Sequence, residues 1–134
     1  MIREKVKNIK QWLLIDDDLD DQEIFLMALK DVDEGIECFV ANNGLEGLEI
    51  VNKDRSFVPE CIFLDVNMPK MNGMQCLEEL KKLEHLKDSS IFMFSTAADA
   101  RLINQSKELG ADEFLVKPPG LTSLIEVLTN IVRR

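Results

Sequence analysis

Five short apolar runs, each closing on a polar residue or a turn and each followed by helical periodicity, constrain this chain more than any other feature. Trp12-Leu13-Leu14-Ile15 stops at Asp16-Asp17-Asp18, Ile36 to Ala41 runs into Asn42-Asn43-Gly44, and Cys61-Ile62-Phe63-Leu64 stops at Asp65. Ile91 to Phe94 leads to Ser95-Thr96, and Glu113 to Val116 leads to Lys117-Pro118-Pro119-Gly120. Such runs suit strands buried on both faces. Between them, Ile24, Phe25, Ala28, Leu29 and Val32 predict a helix from about Asp20 to Val32, Leu45, Leu48 and Val51 a second, and Met74, Leu77, Leu80 and Leu83 a third. A fourth is expected from about Ala98 to Leu109, with Leu102, Ile103 and Leu109 facing inward, and a last one burying Leu121, Leu124, Ile125, Leu128 and Ile131. Strands joined through helices are mainly parallel, and right-handed crossovers put helices on both faces of their sheet.

The chain has 134 residues, 46% of them hydrophobic, which fits one domain over 1–134 with its core at about 11–133 and a short lead-in at 1–10. A formal net charge of −9 argues against a nucleic-acid partner. No apolar run approaches the roughly 20 residues of a membrane span. Met1 to Lys7 lacks the apolar stretch of a signal peptide, so no membrane is expected and the cytoplasm is the expected location. Cys38, Cys61 and Cys76 lack disulfide or zinc-ligand spacing and read as buried free thiols. His85, the single histidine, excludes a multi-histidine metal site and is expected on the surface near a helix end.

In open parallel sheets, ligands gather at the carboxyl ends of the strands. Asp16 and Asp17, Asp65, Thr96 and Lys117 all fall at such ends and are expected to converge. Carboxylates that close repel by roughly 4 kcal/mol per pair at 4 Å with an effective dielectric near 20. A cation must compensate, and hard oxygen ligands open to water suit Mg²⁺. A carboxylate beside such an ion can attack phosphorus and become an aspartyl phosphate. Asp65, ending the central strand, is the expected nucleophile, with Thr96 donating a hydrogen bond and Lys117 an ammonium charge to the phosphoryl oxygens.

These residues sit in recognisable segments: Leu14-Ile15-Asp16-Asp17-Asp18, Ala41-Asn42-Asn43-Gly44-Leu45-Glu46-Gly47-Leu48, Phe63-Leu64-Asp65-Val66-Asn67-Met68-Pro69-Lys70-Met71-Asn72-Gly73, Ser95-Thr96-Ala97, and Gly110 through Lys117-Pro118. From about Trp12 to Val132 the chain resembles response-regulator receiver domains. The resemblance implies a three-layer α/β/α sandwich with a doubly wound, five-stranded parallel sheet in the flavodoxin-like order 2-1-3-4-5. It implies that Asp17 ligates Mg²⁺ directly, Asp16 mainly through water, Asp65 as both ligand and phospho-acceptor, and Asn67 through its backbone carbonyl. A cis bond before Pro118 and a switch in which Thr96 moves and the aromatic at Phe114 swings in behind it are also implied.

The resemblance further implies a phosphohistidine donor, either a sensor histidine kinase or a histidine phosphotransfer protein, within a two-component system or phosphorelay. Signalling would pass by protein contact from the fourth-helix to fifth-helix face to a downstream target, without an output domain. The only chemistry expected of the chain itself is self-phosphorylation from small donors and slow loss of its aspartyl phosphate. Phe114 lacks the hydroxyl of the frequent tyrosine, Pro119 stands where an aromatic often follows Lys-Pro, and Asp18, Asp20 and Asp21 exceed the needed acid pair. An aspartate-nucleophile phosphatase is the main alternative, yet Asp16-Asp17-Asp18-Leu19-Asp20 does not resemble the Asp-x-Asp-x-Thr/Val of those enzymes. A calcium loop is disfavoured because Asp21 stands where glycine is needed. A receiver-like interaction module that is never phosphorylated is the third reading; its usual mark, loss of an acid or of the lysine, is absent.

Overall fold

Each apolar run becomes a strand because its residues have a core to face on both sides. The computed structural model describes residues 10–96 and 98–134, so the readings of Met1 to Lys7 and of Ala97 lie outside the described residues. The elements are β1 (Lys10–Ile15), α1 (Leu19–Val32), β2 (Ile36–Ala41), α2 (Gly44–Lys53), β3 (Cys61–Leu64), α3 (Gly73–Lys81), a 3₁₀ turn at Glu84–Leu86, β4 (Ser90–Ser95), α4 (Ala100–Glu108), β5 (Glu113–Val116) and α5 (Leu121–Val132). The strands form one parallel sheet in the order β2-β1-β3-β4-β5.

Strand side chains alternate between faces, so one continuous apolar run feeds two cores. Leu13, Ile15, Ile62, Leu64, Ile91 and Met93 pack with Val51 of α2 and with Met74, Leu77 and Leu80 of α3. Trp12, Leu14, Phe63, Phe92 and Phe94 pack with Phe25, Ala28 and Leu29 of α1 and with Leu124, Leu128 and Ile131 of α5. Phe63 is the hub of the second core, its ring centroid 5.0 Å from Phe25, 5.1 Å from Phe92 and 5.2 Å from Trp12.

Polar side chains fix where the helices begin. Asp18 caps α1 by accepting from the amides of Asp20 and Asp21, Asn43 caps α2, and Asn72 forms a reciprocal capping box with Gln75 at α3. Asp99 accepts from the Leu102 amide at 2.9 Å, so α4 starts at Ala100 rather than Ala98. The inward face of that helix runs through Leu102 and the buried Ser106, four residues apart, which leaves Ile103 40% exposed instead of facing inward. Leu121, at the first position of α5, is likewise exposed rather than buried. His85 is half-buried, not on the surface, with Nε2 3.0 Å from the Val51 carbonyl oxygen. Cys61 and Cys76 are buried free thiols as expected, whereas Cys38 is only partly covered.

Candidate functional site

The parallel register itself brings the acids together. Ile15 pairs with Ala41 on one side and with Leu64 on the other, so the next residues, Asp16 and Asp65, leave the sheet at one level. Their amides extend the ladders by one bond each, Asp16 N–H to the Ala41 carbonyl and Asp65 N–H to the Ile15 carbonyl, both at 3.0 Å. On the far edge the Lys117 amide donates to the Ser95 carbonyl at 2.9 Å. Backbone hydrogen bonds thus anchor the first atoms of three site residues.

Oxygens of Asp16, Asp17 and Asp65 lie within 4.8 Å of one another. Asp16 is 1% exposed and Asp65 7%, while Asp17 faces solvent. The Lys117 ammonium donates to Asp16 Oδ2 at 2.8 Å, to Asp21 Oδ2 at 2.8 Å and to Asp65 Oδ2 at 3.2 Å. It also lies 5.7 Å from the centroid of the Phe94 ring, which gives it an apolar floor that screens little. The other oxygen of Asp16 accepts from the Asp18 amide at 2.9 Å. The buried Gln22 of α1 donates to the Asp16 carbonyl at 2.6 Å and to Asn42 Oδ1 at 2.8 Å, tying α1 to the loop after β2.

Burial pushes the Asp16 carboxyl up to about 6, against the hydrogen bonds from Lys117 and the Asp18 amide that pull it down. Burial by itself would lower the Lys117 ammonium, but its bonds to Asp16 and Asp21 outweigh that and leave it above its ordinary value. Both groups lean toward keeping their protons, as they must in a dry cluster with more negative than positive charge. A hard divalent cation fits this donor set of carboxylate oxygens with one side open to water.

The sequence expectation and the structure differ at the peptide bond before Pro118. No described peptide bond is cis, so the bond before Pro118 is trans, and Lys117 reaches Asp65 without the expected isomer. Trans is the lower-energy form even before proline, and the four-carbon lysine stem spans the gap. Thr96 is exposed just past β4, and Asn67 is exposed in the loop after β3. Phe114 is half-buried and packs against the core formed with α2 and α3, as do Leu102 and Leu109. Three contributors were missed, namely Asp21, Gln22 and Gly73. A β-carbon on Gly73 would lie 2.2 Å from the Asp65 carbonyl oxygen and 2.7 Å from the Val66 Cα, so only glycine lets α3 begin this close to the Asp65 backbone.

Residues 12–129 match the family model of the response regulator receiver domain, and the chain belongs to that family. It is a receiver domain of the signalling type found in two-component and phosphorelay systems. It is 33% identical over 102 residues to sporulation initiation phosphotransferase F of Bacillus subtilis, covering 75% of this chain and 78% of that one. It is 37% identical over 122 residues to a CpxR-homologous transcriptional regulatory protein of Haemophilus influenzae, covering 91% of this chain. The chain matches 50% of that relative's length and 33% of the length of a protein-glutamate methylesterase of Methanospirillum hungatei. Among solved structures it resembles the Mn²⁺-bound form of response regulator Rcp1, with a TM-score of 0.78, 26% identity and 91% of each chain covered. The family match sets the phosphatase reading aside. No helix among the described residues is long and apolar enough to cross a membrane.

Proposed function

We propose that Asp65 accepts a phosphoryl group from a phosphohistidine on a sensor histidine kinase or a histidine phosphotransfer protein, and that the domain works in the cytoplasm and signals by protein contact. The observation that carries this reading is the Lys117 ammonium bonded at once to Asp65 and Asp16, beside three carboxylates within 4.8 Å. Mg²⁺ would be held by Asp17 directly, by Asp16 largely through water, by Asp65 and by the Asn67 carbonyl; when bound it supplies positive charge to the phosphoryl oxygens. The Mn²⁺ bound by the structurally similar response regulator Rcp1 supports a divalent cation here.

The chain's own residues do the rest. Asp65 is ionised in its attacking form and needs no general base, and its buried backbone fixes the direction of approach. Lys117 is pre-placed within one hydrogen bond of the carboxylate that reacts, so its positive charge already stands beside the oxygens that would gather there. Thr96, exposed directly after β4, would donate a hydrogen bond to a phosphoryl oxygen, and Phe114 of β5 would carry the change to the α4, β5 and α5 surface. That surface already exposes Ile103 and Val116, apolar groups suited to a protein target.

The test is to treat the protein with phosphoramidate and Mg²⁺, trap the acyl phosphate with borohydride and locate it by peptide mass spectrometry. A single label on Asp65, lost in Asp65→Asn, is the expected result. A label on another aspartate, or none under any donor, overturns the assignment and favours an interaction module that is never phosphorylated.

A further inference from the structure

Asp21 lies outside the carboxylate triad suited to a metal, which is Asp16, Asp17 and Asp65. Its Oδ2 nevertheless accepts from Lys117 at 2.8 Å, as short as the bond to Asp16 and shorter than the 3.2 Å bond to Asp65. A lysine ammonium has three donors and no acceptor. Asp16, Asp21 and Asp65 take one each, so an incoming phosphoryl oxygen finds no unengaged N–H and must displace one of these carboxylates. Asp21 is also held where it is: its own amide donates at 3.0 Å to Asp18, the cap of α1, which pins the first helical turn over the site.

We propose that Asp21 is a positioning residue that slows phosphorylation of Asp65, holding Lys117 toward α1 and setting a negative charge beside the path of the incoming anion. The proposal rests on the phospho-acceptor reading and adds to it a brake internal to the domain. With phosphoramidate as donor, an Asp65 oxygen supplies the electron pair for a new O–P bond while the P–N bond breaks. That bond's electrons stay on nitrogen, which already carries its protons in the zwitterionic donor and leaves as ammonia. The three phosphoryl oxygens keep their negative charge throughout, and Asp21 opposes them. With its side chain 37% exposed, Asp21 adds little to fold stability through its ion pair with Lys117. Its effect therefore falls on the incoming anion rather than on folding.

One unit charge a few ångströms from the reacting group, half screened by solvent, is worth on the order of five- to tenfold in rate. The experiment measures the second-order rate constant for Asp65 modification by phosphoramidate in Mg²⁺, read by intact mass, in four proteins. Asp21→Asn is expected to react on the order of five- to tenfold faster than wild type at low salt. Asp20→Asn removes the same charge from the same exposed helical turn and is expected to stay within about twofold, as is Asp21→Glu, which keeps the charge. The gain in Asp21→Asn should shrink at about 0.5 M salt, where the screening length falls to about 4 Å. A merely structural role for Asp21 would shift melting temperature without giving a salt-dependent gain in rate. If wild type is modified at Asp65 but Asp21→Asn is no faster than Asp20→Asn, or is slower, the brake is refuted and the phospho-acceptor reading stands. If wild type itself takes no label, the phospho-acceptor reading falls and the brake with it.

Discussion

Removing the charge of Asp65 should stabilise the protein in the absence of metal, and the size of the effect follows from the site's distances. Asp65 attracts Lys117 at 3.2 Å, about 5 kcal/mol at an effective dielectric near 20. It repels Asp16 and Asp17, each no more than 4.8 Å away, by at least about 3.5 kcal/mol apiece on the same basis, or about 7 together. The difference, about 2 kcal/mol in favour of neutralising Asp65, is reduced to about 1 because Asp17 is exposed and its share is screened. Breaking a buried ion pair usually costs 3–5 kcal/mol because one charge is stranded. Here Lys117 keeps Asp16 and Asp21, so nothing is stranded. Asp65→Asn at pH 8 in chelator is thus expected to melt about 3 to 5 °C above wild type for a domain of this size. Excess Mg²⁺ stabilises wild type by about 2.7 kcal/mol at one hundred times its Kd. A tenfold weaker affinity in the variant is worth about 1.4 kcal/mol, enough to reverse the order. Thermal melts of both proteins in chelator and in Mg²⁺ decide the matter. A variant that melts below wild type in chelator, or equal gains from Mg²⁺, would refute the repulsive pocket.

Gly73→Ala forces a β-carbon to within 2.2 Å of the Asp65 carbonyl, so urea unfolding should show a loss on the order of 2 to 3 kcal/mol together with slower Asp65 modification; an unchanged midpoint would contradict the close approach. Asp18→Ala removes the cap of α1 and should cost about 1 kcal/mol in the same assay, while leaving the Asp18 amide on Asp16 intact; a loss below a few tenths would assign the cap no weight. Burial pushes the Cys61 and Cys76 thiols up to about 12, against about 8.5 in the unfolded chain. A raised folded-state value stabilises below the unfolded one and is lost on the way up to 12, so unfolding free energy should fall between about pH 9 and 11. At pH 8, iodoacetamide should label Cys61 and Cys76 only after urea is added, and equal rates with and without urea would place them outside the core.

What the sequence made legible was whatever short-range chemistry decides. A strand that packs against a core ends where its apolar run ends, so the bounds of the buried β3 and of the edge strands β2 and β5 could be read directly, and the polar residue after each run had to stand at the sheet's carboxyl edge. Asp16, Asp65 and Lys117 were found in this way, and their convergence needs only the parallel register. Asp21, Gln22 and Gly73 were not, because their roles depend on distances between elements. Asp21 follows Asp17 by four residues, one helical turn, which offers a signal only to a reader who knows that the first turn of α1 leans over the strand ends. Gln22, next to it, points into that same seam and is polar where a helix packed on a sheet would ordinarily be apolar. The inward assignment of Ile103 failed for the related reason that a nine-residue helix offers the sheet a narrow stripe, and Leu102 with Ser106 already fills it. The expected cis proline rested on resemblance alone; Lys117 meets its three acids across a trans bond because the long lysine stem, rather than the backbone isomer, provides the reach. Local patterning therefore locates the acids and the lysine that converge at the strand ends, while the groups packed around them, Asp21, Gln22 and Gly73, come from the placement of α1 and α3.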